Sequence, residues 1–261
     1  MKKIGDVLTT ISIPVGPAKS NGAAKSAPSW RCPVCKDAGW VRMEVPVGHP
    51  NFGRLFPCEC KVAEQAERGR DRVRRLSNLD GFTQHTFDDF EMVQGAEEAY
   101  DAAREFARNP DGWLYLRGSV GVGKTHLAVA AAMEIRERNG SVLFAVVPDL
   151  LDHLRTTFDP SQGVAYDDRF NAIRGAFLLV LDDLGTENTT PWAREKLYQI
   201  FNHRYVERLP TIVTSNQDHR HVDERILSRL LDTHLTRDVL VEAEDYRRRG
   251  RSDYSRGRRP R

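Results

Sequence analysis

Long apolar runs are missing from this chain. None of its 261 residues belongs to a stretch long enough for a membrane span, and the N-terminus has no secretory apolar segment. A cytoplasmic protein without membrane contact is therefore expected. Cysteine is scarce: there are four, all between positions 32 and 60. In a reducing compartment such a cluster reads as a metal site rather than as disulfides. No internal repeat is visible, which excludes a solenoid. Net charge is only +2, and even that is unevenly spread. Residues 247–261 hold eight arginines against one aspartate, +7, so residues 1–246 sum to −5. The basic character belongs to a tail and not to the fold.

What remains is enough for one core of ordinary size with appendages: 40% hydrophobic and 29% charged residues. Residues 1–29 read as a short N-terminal segment and a flexible Pro/Gly/Ala/Ser linker. Residues 30–61 hold the cysteines and little else to bury. Residues 62–81 read as a charged connecting helix, with Glu64/Arg68 and Asp71/Arg75 at i,i+4 spacing. From Phe82 to 247 the pattern becomes α/β. Strand runs are expected at 113–116, 141–147, 176–181 and 211–214, with a weaker one at 236–243. Helices fill 96–107, 148–156, 168–174, 191–207 and 222–232. Apolar strands alternating with helices imply a parallel sheet covered on both faces. Residues 248–261 read as an Arg-rich disordered tail.

The strongest motif spans Gly118, Ser119, Val120, Gly121, Val122, Gly123, Lys124 and Thr125, a full G-x-x-x-x-G-K-T, followed by His126. An apolar run precedes it and a helix-forming run follows. This strand–loop–helix context aims backbone N–H groups and a helix N-terminus at the phosphates of a nucleotide. Lys124 is expected on the β- and γ-phosphates, and Thr125 on magnesium. A second motif is the apolar run Phe177–Leu181 ending in Asp182-Asp183. Ligands of open α/β sheets bind at such strand ends. Asp182 is a candidate magnesium holder, and Asp183 a candidate to orient or deprotonate the attacking water. The strand Thr211–Thr214 delivers Ser215 and Asn216 to the same edge. Asn216 is a candidate to position that water, although alone it also fits a simple turn. Arg225 and Arg229 share one helix face. They fit either a solvated basic face or a charge-stabilising arginine offered to a neighbouring subunit.

Five segments occur in order: GSVGVGKTHLA from Gly118, LLVLDDLGTE from Leu178, Trp192 to Tyr205, LPTIVTSN from Leu209, and Asp245-Tyr-Arg247. Together they resemble the DnaC/DnaI/IstB group of AAA+ ATPases, which comprises bacterial and phage replicative-helicase loaders and transposition helper ATPases. The resemblance covers about 80–247. It implies a P-loop AAA+ parallel sheet with flanking helices, Mg–ATP, ATPase activity that is weak in isolation, self-association into oligomers, and single-stranded DNA. It also implies Asn216 as the sensor residue, Arg229 as the arginine finger and Arg247 near the nucleotide. Two departures stand out. The second acid is Asp183 where the wider superfamily has Glu, which leaves Glu187 as an alternative for water activation. The stretch after the fifth strand is too short for a full helical lid, so a minimal or absent lid is expected.

Cys32-x-x-Cys35 and Cys58-x-Cys60 suit tetrahedral structural zinc, with His49 as a spare ligand. Four unrelated thiols are the alternative. Such a small module depends on metal to fold. The arginine tail, with Tyr254 and glycines, fits non-specific nucleic-acid binding as well as a solvated end. Arg155, Arg169 and Arg174 are further candidates for DNA contact. The resulting reading is an ATP-dependent loader of a hexameric replicative helicase onto single-stranded DNA. The alternatives are a transposition helper that binds duplex DNA and a transposase, and a nucleotide-gated interaction protein with little hydrolysis.

Overall fold

The computed structural model describes residues 30–139, 141–156, 163–187, 190–216 and 222–246. The chain divides into two compact units, residues 1–69 and 70–261. In the first, β1 (Trp40–Arg42) pairs antiparallel with β2 (Leu55–Pro57). The ribbon turns Val41 and Phe56 onto the cysteines. Helix α1 (Glu59–Leu76) starts immediately after Cys58. It begins earlier than the charge pattern implies. Its last turns lie in the second unit, where Val73 is buried against the apolar residues of that core.

The second unit contains α2 (Glu97–Arg108), β3 (Trp113–Gly118), α3 (Lys124–Asn139), β4 (Val142–Val146), α4 (Val147–Thr156) and α5 (Gly163–Arg174). There follow β5 (Leu178–Asp182), α6 (Pro191–Val206), β6 (Thr211–Ser215), α7 (Glu224–Leu230) and β7 (Thr236–Val241). The sheet order is β4-β5-β6-β3-β7 with every pairing parallel. The strand carrying the glycine loop, β3, is thus flanked by β6 and β7, and the Asp182 and Asn216 strands reach the same edge. This is the parallel sheet with flanking helices expected from the sequence.

Strands β5 and β6 are buried throughout, which is why they read as unbroken runs rather than alternations. One face is closed by α2 and α3, whose alanines let the helices approach closely: Ala99, Ala102, Ala103, Ala128, Ala131 and Ala132 are all buried. The other face is closed by α4, α5, α6 and α7. Helix α6 starts where Thr190 accepts the Ala193 N–H at 3.2 Å, with Pro191 in its first turn. No helical lid follows β7 among the described residues, and no described helix is long and apolar enough to cross a membrane.

A buried arginine closes the opposite end of the sheet. Arg204 of α6 is fully buried. It donates to the carbonyls of Arg174 (2.9 Å), Ala176 (2.8 Å) and Pro210 (2.5 Å), and to Thr211 Oγ1 (2.9 Å). Burial pulls its guanidinium down to about 9, so the charge is kept at neutral pH. These carbonyls lie where β5 and β6 begin, and only that of Pro210 has a further donor among the described contacts, the Leu179 N–H at 3.3 Å. Arg204→Met is therefore expected to cost about 3 kcal/mol or more, because each buried acceptor left unpaired costs ~1–3 kcal/mol. Arg204→Lys should not restore it, since an ammonium lacks the planar fork. Urea denaturation of the three proteins checks both outcomes.

Candidate functional site

The glycine loop lies between β3 and α3. Lys124 is buried and folds back, its Nζ donating to the carbonyls of Gly118 (3.0 Å) and Ser119 (2.7 Å). Thr125 Oγ1 lies 3.0 and 3.2 Å from the two carboxylate oxygens of Asp182. The two expected magnesium holders are thus brought together. Gly121 has φ of 83°, and a Cβ there would collide with the Asp245 carboxylate. The Tyr246 N–H donates to Gly121 O at 3.0 Å, so the stretch after β7 lies along the loop. A Cβ on Gly123 would stand 2.8 Å from the Phe90 ring. Phe90 also meets the His126 ring at 5.2 Å, and His126 Nε2 lies 2.7 Å from Thr86 O. Burial pushes the His126 imidazole below its ordinary range, favouring the neutral ring.

The two acids part at the end of β5. Asp182 is buried. Desolvation pushes its carboxyl above the ordinary range; the Thr214 and Thr125 hydroxyls pull against that, and the charge of Asp183 adds to it. Thr214 Oγ1 donates to Asp182 Oδ1 at 2.6 Å and accepts the Asp183 N–H at 3.0 Å. Asp183 has φ of 59°, a left-handed conformation that turns its side chain away from Asp182. There Asn216 Nδ2 donates to Asp183 Oδ1 at 2.5 Å. Glu187, the alternative for water activation, accepts the Gly185 N–H at 2.7 Å within its own turn.

Arg229 stands apart from this cluster, held against α6. Arg155 stacks on Trp192 and Arg174 on Phe170, so both take part in packing. Arg247, the arginine tail and the N-terminal linker lie outside the described residues. Spacing had no way to reveal Thr214, which is polar inside a buried strand, or Phe90, which sits in irregular chain ahead of α2.

The second cluster is in the first unit. The Sγ atoms of Cys32, Cys35, Cys58 and Cys60 all lie within 4.8 Å of one another. The shortest separations are Cys35–Cys60 at 3.4 Å and Cys32–Cys58 at 3.7 Å, too long for disulfides. A tetrahedral ion ~2.3 Å from each sulfur sets edges of about 3.8 Å, so the donor set fits zinc. The Cys35 backbone N–H holds the Cys32 thiol down at about 7, while Cys60, beside the Cys35 sulfur, is pushed up. Lys36, Asp37 and Gly39 all have positive φ and make the tight knuckle after Cys35. The Gly39 N–H donates to its sulfur at 3.3 Å.

A family model described as IstB-like ATP binding protein matches residues 59–254. The chain belongs to this family. Within it, the chain is similar to the replicative helicase loader DnaI of Bacillus subtilis, 34% identical over 104 residues, which are 40% of this chain and 32% of that protein. The match thus spans about a third of that loader's own length. It is also similar to a putative ATP-binding protein in an insertion sequence of Mycobacterium tuberculosis, 30% identical over 195 residues, 69% of this chain and 74% of that one. Among solved structures it resembles the replication initiator DnaA bound to AMPPCP and single-stranded DNA. The TM-score is 0.54 with 25% identity, over 62% of this chain and 50% of that one. The AAA+ resemblance read from the motifs is borne out. The IstB-like match begins at Glu59, so most of the cysteine module precedes it.

Two outcomes follow from this geometry. Asp182→Asn should abolish magnesium-dependent nucleotide binding yet raise the melting temperature of the nucleotide-free chain by about 2–4 °C, because it relieves a desolvated carboxylate. Scanning calorimetry with parallel nucleotide titrations measures both. Freshly purified protein should carry one zinc per chain by metal analysis, and Cys60→Ser should lose it. Chelation should unfold the module but leave nucleotide affinity unchanged, since the cysteines pack in a cluster of their own.

Proposed function

We propose that this chain is an ATP-dependent loader of a hexameric replicative helicase onto single-stranded DNA. The observation that carries the reading is a nucleotide site with paired acids and a sensor amide, in a chain that also holds a clustered four-cysteine module. The similarity to DnaI and to a single-stranded-DNA-bound DnaA supports it. Bound Mg–ATP would supply a phosphoanhydride whose hydrolysis changes the assembly state.

The chain's own groups have separable tasks. Lys124 would leave the Gly118 and Ser119 carbonyls for the β- and γ-phosphates. Thr125 and Asp182 would hold magnesium. Asn216 fixes one oxygen of Asp183, which would orient the attacking water with the other and accept its proton. Arg229 would stabilise developing charge in a neighbouring subunit's site, which makes the assembly head-to-tail. Cys32, Cys35, Cys58 and Cys60 would hold zinc as a structural cross-link, shaping a module that grips the helicase. Its exposed Trp30, Trp40, Phe52 and Leu55 are an unusual concentration of apolar surface for so few residues.

The insertion-sequence relative favours a second reading, a transposition helper acting with a transposase on duplex DNA. The decisive test is retention on the immobilised chain with ATP. Capture of the host replicative helicase, lost on Cys32→Ser, supports the loader. Capture of a transposase with preference for duplex DNA supports the helper and overturns the loader. Lys124→Ala should weaken ATP binding by about 100-fold in either case, the order expected for ~3 kcal/mol of charge-assisted contact.

A further inference from the structure

Arg229 is gripped by its own chain on four sides. Nη2 donates to Asn202 Oδ1 at 2.7 Å, and Nη1 to Arg225 O at 2.6 Å. Its guanidinium carbon stands 5.1 Å from the Tyr198 ring centroid and 5.3 Å from that of Tyr205. Tyr198, Asn202 and Tyr205 form one stripe of α6 at i, i+4 and i+7 spacing. Arg225, one turn before Arg229, lies 4.1 Å over the same Tyr198 ring and 3.8 Å from Glu195. Tyr205 is itself anchored, its hydroxyl donating to Asp232 at 2.7 Å. The α6–α7 seam is thus a ladder of rings and guanidinium groups, and nothing in the apolar pattern of either helix requires it.

We propose that Tyr198 and Asn202 are positioning residues for Arg229, fixing its guanidinium for the phosphate of a second copy of this chain. The inference rests on the reading that Arg229 acts across subunits. An exposed arginine has about 2 kcal/mol of rotamer entropy to lose when it engages a phosphate. Here the rings and the Asn202 amide remove that freedom before assembly, which is what preorganisation requires. The grip is also incomplete: the Nε–H is buried without a hydrogen-bond partner among the described residues. Three of the five guanidinium N–H groups are committed, to Arg225 O, Asn202 Oδ1 and, at 3.4 Å, the Tyr198 hydroxyl, so beside the buried Nε–H one on Nη1 remains for an anion. A surface arginine with no further task needs no such cage, since exposed pairs contribute little to stability.

The test uses full-length chains assembled with ATP. Asn202→Ala and Tyr198→Leu should each lower kcat of the assembly about 10- to 100-fold, the size expected for ~1 Å of misplacement. KM and the nucleotide affinity of the unassembled chain should stay unchanged. Tyr198→Phe, which keeps the ring, should restore most of the turnover lost in Tyr198→Leu. Mixing Asn202→Ala with Lys124→Ala subunits should recover part of the activity, because the first brings an intact loop and the second a correctly held arginine. Loss without recovery, in mixtures shown to co-assemble, would mean a merely structural role and overturn the proposal. So would wild-type kcat in Asn202→Ala and Tyr198→Leu while Arg229→Ala is impaired, a result that leaves the trans reading standing. Wild-type kcat in Arg229→Ala would overturn both.

Discussion

The nucleotide site depends on one hydroxyl. Thr214 Oγ1 receives the Asp183 N–H and gives its own proton to Asp182 Oδ1. It does so from the adjacent strand, whose carbonyl at the same residue takes the Leu184 N–H at 2.9 Å. A buried carboxylate without partners is costly, and two adjacent acids repel. Thr214 and Thr125 both donate to the first acid, and the backbone bond to Thr214 ties down the second. Slip the register of β5 against β6 by one residue and Val213 or Ser215 takes the place of Thr214 opposite Asp182, on the other face of the sheet. The apolar runs of these strands therefore fix the chemistry as well as the core.

Much of this was legible before any coordinates. Fully buried parallel strands write themselves as short apolar runs, so β3 to β6 fall within two residues of their expected ends at every boundary. The glycine loop, both acids and Asn216 were placed because each lies at a fixed offset from such a run. The residues that hold them were not. Thr214 and Arg204 are polar groups inside the fold, and a linear pattern cannot tell a satisfied buried donor from a solvated one. Tyr198 and Asn202 read as ordinary helix positions. Phe90 and Thr86 belong to chain with no period at all, yet they close on the loop and His126. Helix α5 begins at Gly163, ahead of the expected 168, because a glycine-led start carries no strong opening signal.

The short C-x-C half of the cysteine set has a local explanation. Helix α1 opens at Glu59, so Cys58 precedes its first turn and Cys60 lies within it. Cys58 sits at the helix start, its carbonyl taking the Lys61 and Val62 N–H groups, so its side chain is not bound to the helical period and can reach the same point as that of Cys60. Cys32 and Cys35 reach the same point through a knuckle of positive-φ residues.

An aspartate at the second acidic position is one methylene shorter than a glutamate, and the backbone shapes how that reach is used. Left-handed φ costs an L-residue ~1–2 kcal/mol, with aspartate among the few that adopt it routinely. Asp183 adopts it and lands against Asn216, which fixes one carboxylate oxygen. A glutamate would carry a higher backbone cost there, with a longer, freer side chain. The site thus has a fixed orientation with short reach. Arg229, the cation proposed to complete phosphoryl transfer, is bound to α6 of its own chain. On the proposed function, orientation built into each chain, with charge supplied by its neighbour, would tie turnover to assembly. Such coupling would suit the proposed loader, whose nucleotide would govern when it holds on and when it lets go.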